Sequence, residues 1–429
     1  MIPVFRRHFT AQNIAFGWMI LVIAGFLIRA WHGLWFTVFV DEAEHVLGGQ
    51  VINHGGRLYV NFVSQHGPVN FMLTQIYGAI FGWGESGGFG DRLFEHWAKL
   101  TGAMPVEKAR FLAACWIPNF VRLISISLAA ISTYCVATAS NLPNRTARYQ
   151  AAMLYLGLLT NVWLVQGLYL VNYHAIAGFF LAASLGLYLI PAWCGAILSP
   201  RRGFFAAFCL VMVAFTGYPY APSAALFWFS AVWAARGQGQ FRALFAGACA
   251  GTALMVSRLL LFGSLSGYVA FHLVENQRDF GAYMHFSFGE VIKVLLPNFA
   301  PDARVQTMAA LAAFWGTGSL LGWTIKTRRW TQIGPILIGA LALFLLCARA
   351  STYFHDGAFL VASLAWGSLM LVQFLSKAVS HRSPFAKGAL ATLCVIPIFA
   401  AEFYARTAVN TPFGMTRAQA VRAGYTNPR

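Results

Sequence analysis

Eleven predominantly apolar stretches of 15 to 24 residues recur along the 429-residue chain, at 14–36, 119–140, 150–166, 175–198, 204–219, 221–235, 243–262, 308–325, 333–348, 357–375 and 388–404. A bilayer core of about 30 Å needs roughly 20 such residues per helix, and within it only helices or closed barrels satisfy the backbone. Charged residues are 10% of the chain and hydrophobic ones 59%, where soluble domains average about 25% charged. The expectation is an all-α polytopic membrane protein with about eleven transmembrane helices, 1–429 forming one integral membrane domain. Fourteen Trp, 15 Tyr and 38 Phe supply rings for the lipid interfaces. Disorder, a collagen-like fold and a disulfide scaffold are excluded by the same figures.

Thirty Lys and Arg against 13 Asp and Glu leave a formal charge of +17, which invites a nucleic-acid reading until the charges are placed. With Arg6 and Arg7 in the cytoplasm, that side collects fourteen cations and no acid: these two and twelve in alternate loops, from Arg145 and Arg148 to Arg382 and Lys387. All thirteen carboxylates, from Asp41 to Glu402, then fall in the opposite loops or at helix ends on that side. This is the positive-inside pattern, so the charge is topological and no nucleic-acid partner is implied. The N-terminus is expected in the cytoplasm and 405–429 as an extracytoplasmic tail. Arg6, Arg7 and His8 resemble a signal-peptide start, but the apolar run is long and no small-x-small site follows, so a retained anchor is expected. Cys135, Cys194, Cys209, Cys249 and Cys347 lie in spans without any C-x-x-C, as packing residues do.

Two outer loops are long, 37–118 and 263–307, and nine of the eleven histidines share their face with the carboxylates. Acid–base groups on one face argue against a proton relay through the bilayer and for chemistry at the outer surface. The first loop opens Asp41-Glu42-Ala43-Glu44-His45, runs helically to Asn53, passes Gly55-Gly56 and Tyr59, and reaches His66-Gly67-Pro68. Asp41 and Glu44 have the D-x-x-E spacing of a helix cap with Asp41 at its start. On such a helix Glu44 and His45 share the face of Asp41 while Glu42 points elsewhere; they either shape an acceptor pocket or are solvated. His66-Gly67-Pro68 reads as an ordinary turn before a proline-started helix. The fourteen residues at 69–82 are short for a span and fit an interfacial helix, as does the amphipathic 91–100.

The Asp41-Glu42-Ala43 step beyond the first span, the helix ending in Gly-Gly, the Tyr59 segment and a basic-residue-plus-proline step 25 residues after the aspartate together resemble GT-C membrane glycosyltransferases. That group holds the protein O-mannosyltransferases and the lipid A aminoarabinose transferase. A turn at 144–148 leading to the short outer loop Leu170-Val171-Asn172-Tyr173-His174 fits it too. The likeness runs over about 14–200 and is architectural beyond.

The resemblance implies a GT-C fold and transfer of a sugar, with inversion, from a polyprenyl-phosphate donor to a lipid-linked glycan, polysaccharide or protein at the outer face of a bacterial cytoplasmic membrane. The family's catalytic aspartate maps to Asp41. Acceptor or orienting roles go to Glu42, Glu44, His45, Asn172 and His174; the donor phosphate goes to His66 with Arg258, Arg278 and Arg349. In two places the chain departs from its relatives: Asn172, Tyr173 and His174 stand where an acid is common, and Asn61 where Asp is often found. No D-x-D and no compact ligand set is present, so no metal or other cofactor is expected beyond the lipid-phosphate donor, with membrane lipids as further partners. A polymerase or ligase using a diphosphate-linked donor and a non-enzymatic lipid-linked sugar transporter are the alternatives. Transport predicts critical charges on both faces, whereas the carboxylates here are one-sided.

Overall fold

The structure, a computed structural model, describes residues 10–34, 40–83, 89–102, 105, 119–164, 166–236, 239–280, 304–346, 357–378, 389 and 392–400. The chain is helical, with α1 (Ala11–Leu34), α2 (Val40–Asn53), α3 (Pro68–Phe81), α4 (Phe89–Thr101), α5 (Leu123–Ala137), α6 (Arg145–Val162), α7 (Tyr173–Ser184, prolonged to Trp193), α8 (Pro200–Thr216), α9 (Ala221–Ala234), α10 (Phe241–Phe262), α11 (Arg304–Lys326), α12 (Ile333–Leu345) and α13 (Gly357–Ala378). Ten of the eleven expected apolar stretches coincide with these helices; of 388–404 only residue 389 and residues 392–400 are described.

Among the described residues five helices are long and apolar enough to cross a membrane: Ala11–Leu34, Tyr173–Trp193, Phe241–Phe262, Thr307–Lys326 and Gly357–Ala378. The expected eleven therefore narrows to five on this criterion. For α8 and α9 the physical reason is length, 17 and 14 residues, about 26 and 21 Å at 1.5 Å per residue; α6 has 18 residues but carries Arg145, Arg148, Gln150 and Asn161. Of the expected outer loops, 37–118 contains α2, α3 and α4, and 263–307 opens with a turn and the wide helix Tyr268–Phe280, wound with i→i+5 bonds. The tail expected at 405–429 lies outside the described residues.

The prolonged α7 is the axis of the bundle. It packs against α5, α8 and α13, with α6 beside α13 and α1 on α6. Trp163, Trp193 and Trp366 are fully buried around it. Leu185–Leu189 widens into a π turn just before Pro191, because proline lacks the amide that an α ladder needs there and its ring crowds the preceding turn. By contrast α1 buries little and shows Leu21, Leu27, Ile28 and Trp31 outward. The amphipathic α4 exposes Phe89, Leu93, Trp97 and Leu100. α3, expected half-buried at an interface, is mostly buried against α2 and α8.

Candidate functional site

Where α2 meets the start of α7, a group of ionisable side chains is folded inward rather than solvated. Glu42 is buried and takes the guanidinium of Arg122 in a forked pair: Arg122 Nε donates to Oε1 at 2.9 Å and Nη2 to Oε2 at 2.6 Å. Arg122 Nη1 also donates to the Gly33 carbonyl at 2.6 Å, and Glu42 Oε1 accepts the Val171 amide at 3.2 Å. One carboxylate thus ties α1, α2, the residue before α5 and the loop before α7. Forked geometry with extra donors is what makes a buried pair tolerable.

Glu44 lies on another side of α2. It accepts the Ser64 hydroxyl and sits 3.3 Å from His66 Nδ1, while Ser64 Oγ accepts the His66 amide at 2.9 Å. Burial pushes the Glu44 carboxyl up, but the hydrogen bond and charge of His66, with Ser64 and His45 adding to them, outweigh it and hold the group at about 2. His45 is fully buried and donates from Nδ1 to the Val171 carbonyl at 2.7 Å. That bond sets the tautomer, leaving Nε2 with a lone pair and no hydrogen-bond partner among the described residues. Burial first, then the charge of His66, push His45 down to about 3 against the Val171 bond and Glu44. So His45 stays neutral and is a weak base; it suits accepting a hydrogen bond better than removing a proton. Its ring meets that of His66 edge-on at 4.8 Å between centroids, and the tilted Tyr173 ring also lies 4.8 Å from that of His66.

The His66 loop is fastened from several directions. Tyr59, in a left-handed conformation (φ 61°), donates its hydroxyl to the His66 carbonyl at 2.6 Å. His272, on the wide helix, shares Nδ1–H with the Gln65 carbonyl at 2.8 Å and accepts the Tyr218 amide at Nε2; burial first, and the charge of His66, take it down to about 4 despite the Gln65 bond. The Gly67 amide donates to the Thr216 carbonyl at 3.1 Å, and a Cβ at Gly67 would lie 2.1 Å from the Phe215 carbonyl oxygen. Glycine is thus required for close approach to the end of α8, with its amide already engaged.

Of the expected site residues, the structure brings Glu44, His45 and His66 together and places Glu42 beside them. Asn172 caps α7, accepting the Ala175 amide at 2.8 Å, and His174 bonds the Tyr220 hydroxyl. Asp41 falls inside α2, which already begins at Val40. Glu44, the other half of the expected cap, turns to Ser64 and His66; the Asp41 side chain lies outside the described residues. Arg258 stacks on the Phe262 ring at 4.1 Å and Arg278 pairs with Glu275. Arg349 lies outside the described residues. Arg122 was not singled out from sequence, though an arginine inside the apolar run 119–140 was the available signal. Among the described residues no group of three or more His, Cys, Asp or Glu has the disposition of a metal site.

Compared with known proteins, the chain matches no family model and no curated protein. Among solved structures, the oligosaccharyltransferase of Archaeoglobus fulgidus in complex with Zn and sulfate superposes with a TM-score of 0.52 at 14% identity, over 92% of this chain and 53% of its own. The archaeal oligosaccharyltransferase AglB from the same organism, in complex with an inhibitory peptide and a dolichol-phosphate, gives 0.49 at 13% identity over 93% of this chain and 56% of its own. The chain spans about half the length of these proteins, and what it shares with the first is the fold: a membrane helical bundle of GT-C type.

Proposed function

We propose that this chain is a glycosyltransferase that moves a sugar from a polyprenyl-phosphate donor to a lipid-linked glycan, polysaccharide or protein acceptor. The observation that carries the reading is the Glu44–His66–His45 cluster beside α2, the helix bearing Asp41, at one end of an oligosaccharyltransferase-like bundle. Asp41 accepts or orients the acceptor hydroxyl proton as its oxygen attacks the anomeric carbon. The anomeric C–O bond breaks, and the lipid phosphate leaves with the electron pair on the opposite side, so configuration inverts. His66, steadied by Glu44, offers its imidazole to the departing phosphate with an arginine, from Arg258, Arg278 or Arg349; His45 Nε2 and His174 orient the acceptor. Positioning and charge stabilisation then supply the rate.

A cavity of about 460 Å³ between α6, α11 and α13, lined by Leu154, Leu158, Met308, Leu311, Trp315 and Leu371, supports a lipid substrate, because its lining is almost wholly apolar. In this reading the shorter helices complete the eleven spans, the N-terminus is cytoplasmic, and the cluster opens outside a bacterial cytoplasmic membrane.

Purified protein given a polyprenyl-phosphate sugar tests this. Asp41→Asn is expected to lose about 10²–10⁴-fold in turnover, the usual contribution of a general base, and His66→Ala to weaken donor use. Normal turnover by well-expressed Asp41→Asn protein removes the mechanism. For orientation, a cysteine at the exposed His54 should react with an impermeant reagent from outside; labelling only from the cytosol sinks the topology. Likeness to an oligosaccharyltransferase favours one second reading, a diphosphate-linked oligosaccharide donor, and side-by-side assays of the two donors separate them.

A further inference from the structure

At the far end of α7 the chain gathers cations instead of histidines. Twenty-one residues separate the two ends of this helix, about 30 Å at 1.5 Å per residue, which matches the hydrocarbon thickness of a bilayer. There the C-termini of α5, α7, α11 and α13 meet the start of α8. Arg329 Nη1 donates to the Cys194 carbonyl at 2.6 Å, and its guanidinium packs over Gly195, which is left-handed (φ 73°) and where a Cβ would collide with Nη1. Lys377 lies over the Trp323 ring and within electrostatic reach of Arg329 and Lys326. Arg202 Nη2 donates to the Thr138 carbonyl at 2.7 Å.

We propose that these helix ends form a binding site for the phosphate headgroup of an anionic phospholipid in the leaflet opposite the histidine cluster. The first support is charge. The chain has no Asp or Glu between Glu107 and Glu275, between Asp302 and Asp356, or between Asp356 and Glu402, so the segments that form this end hold no countercharge of their own. The helix-end carbonyls account for one nitrogen each of Arg329 and Arg202 but neutralise no full charge. The second support is access: Lys326 and Arg329 are exposed at this end, and a phosphate supplies several anionic acceptor oxygens at once to such donors. The third is position: basic pockets between helix ends at headgroup depth are where anionic lipid is recognised, and the exposed Trp330 and Phe374 beside the cluster offer surface to acyl chains. The site is independent of the proposed reaction.

The test is thermal unfolding and native mass spectrometry of the detergent-purified full chain titrated with phosphatidylglycerol, phosphatidylcholine or inorganic phosphate. Phosphatidylglycerol should bind and raise Tm while phosphatidylcholine does neither. Lys326→Gln combined with Arg329→Gln should weaken phosphatidylglycerol binding at least tenfold, whereas Arg242→Gln, an exposed cation at the start of α10, should change it less than twofold. Equal stabilisation by inorganic phosphate would overturn the lipid assignment in favour of a free-anion site. An equal loss with Arg242→Gln, or an undiminished affinity in the double variant, would overturn the site itself.

Discussion

Glu42 and Glu44 are two residues apart on α2, roughly 200° around a helix, and this separation gives them unrelated roles. Glu42 is sealed against Arg122 and Glu44 faces His66. Arg122→Ala would strand a buried carboxylate and is expected to cost about 3–5 kcal/mol in unfolding measurements, much of it regained when Glu42→Gln is added. His45 and His272 define the pH response. Both bases have folded values, about 3 and about 4, below the usual 6.5, so the unfolded chain binds more protons in between and stability is lost as pH falls below 6.5. Each contributes a slope of up to about 1.4 kcal/mol per pH unit. Tm should therefore drop between pH 7 and 5, and His45→Asn should flatten that drop; an unchanged slope would show that His45 is not held neutral. Glu44 acts in the same direction only lower, between 4.5 and about 2. Sequence alone placed Glu42, Glu44 and His45 in one loop and His272 in another. It did not show that Glu42 needs Arg122, because the partners are 80 positions apart.

At the scale of elements, the His66 loop is a strap between α2 and α3 pressed onto the end of α8. Gly67→Ala has no room against the Phe215 carbonyl, so the strap must lift and carry His66 with it. Loss of most of the proposed transferase activity with a Tm lowered by several degrees is the expected outcome, and full activity would show that His66 can move freely. The residues 66–68 were readable as a turn before a proline-started helix, and α3 does begin at Pro68. The reason for glycine was not readable, because the surface it approaches belongs to α8, about 150 residues later. α4 was legible from its periodicity: Leu93, Trp97 and Leu100 form an exposed apolar stripe, as an interfacial helix requires. In bilayers with shallow or deep brominated lipids, the emission lost on Trp97→Phe should be the shallow-quenched part; deep quenching alone would place α4 in the core.

For the molecule as a whole, the pattern of apolar runs was sufficient for an all-helical membrane bundle. Water and lipid select residues one at a time, so the preference is written locally in every segment. The spans were less legible, since helix ends depend on what a terminus packs against, and among the described residues five helices rather than eleven are long and apolar enough to cross unaided. What only the tertiary structure decided is the pairing: Glu42 with Arg122, His45 with the Val171 carbonyl, His66 between Glu44 and Tyr173, Arg329 on the end of α7. Each joins residues from separate elements, and its geometry follows from how helices cross and how closely backbones approach. Composition and periodicity carry no record of that; packing in three dimensions does.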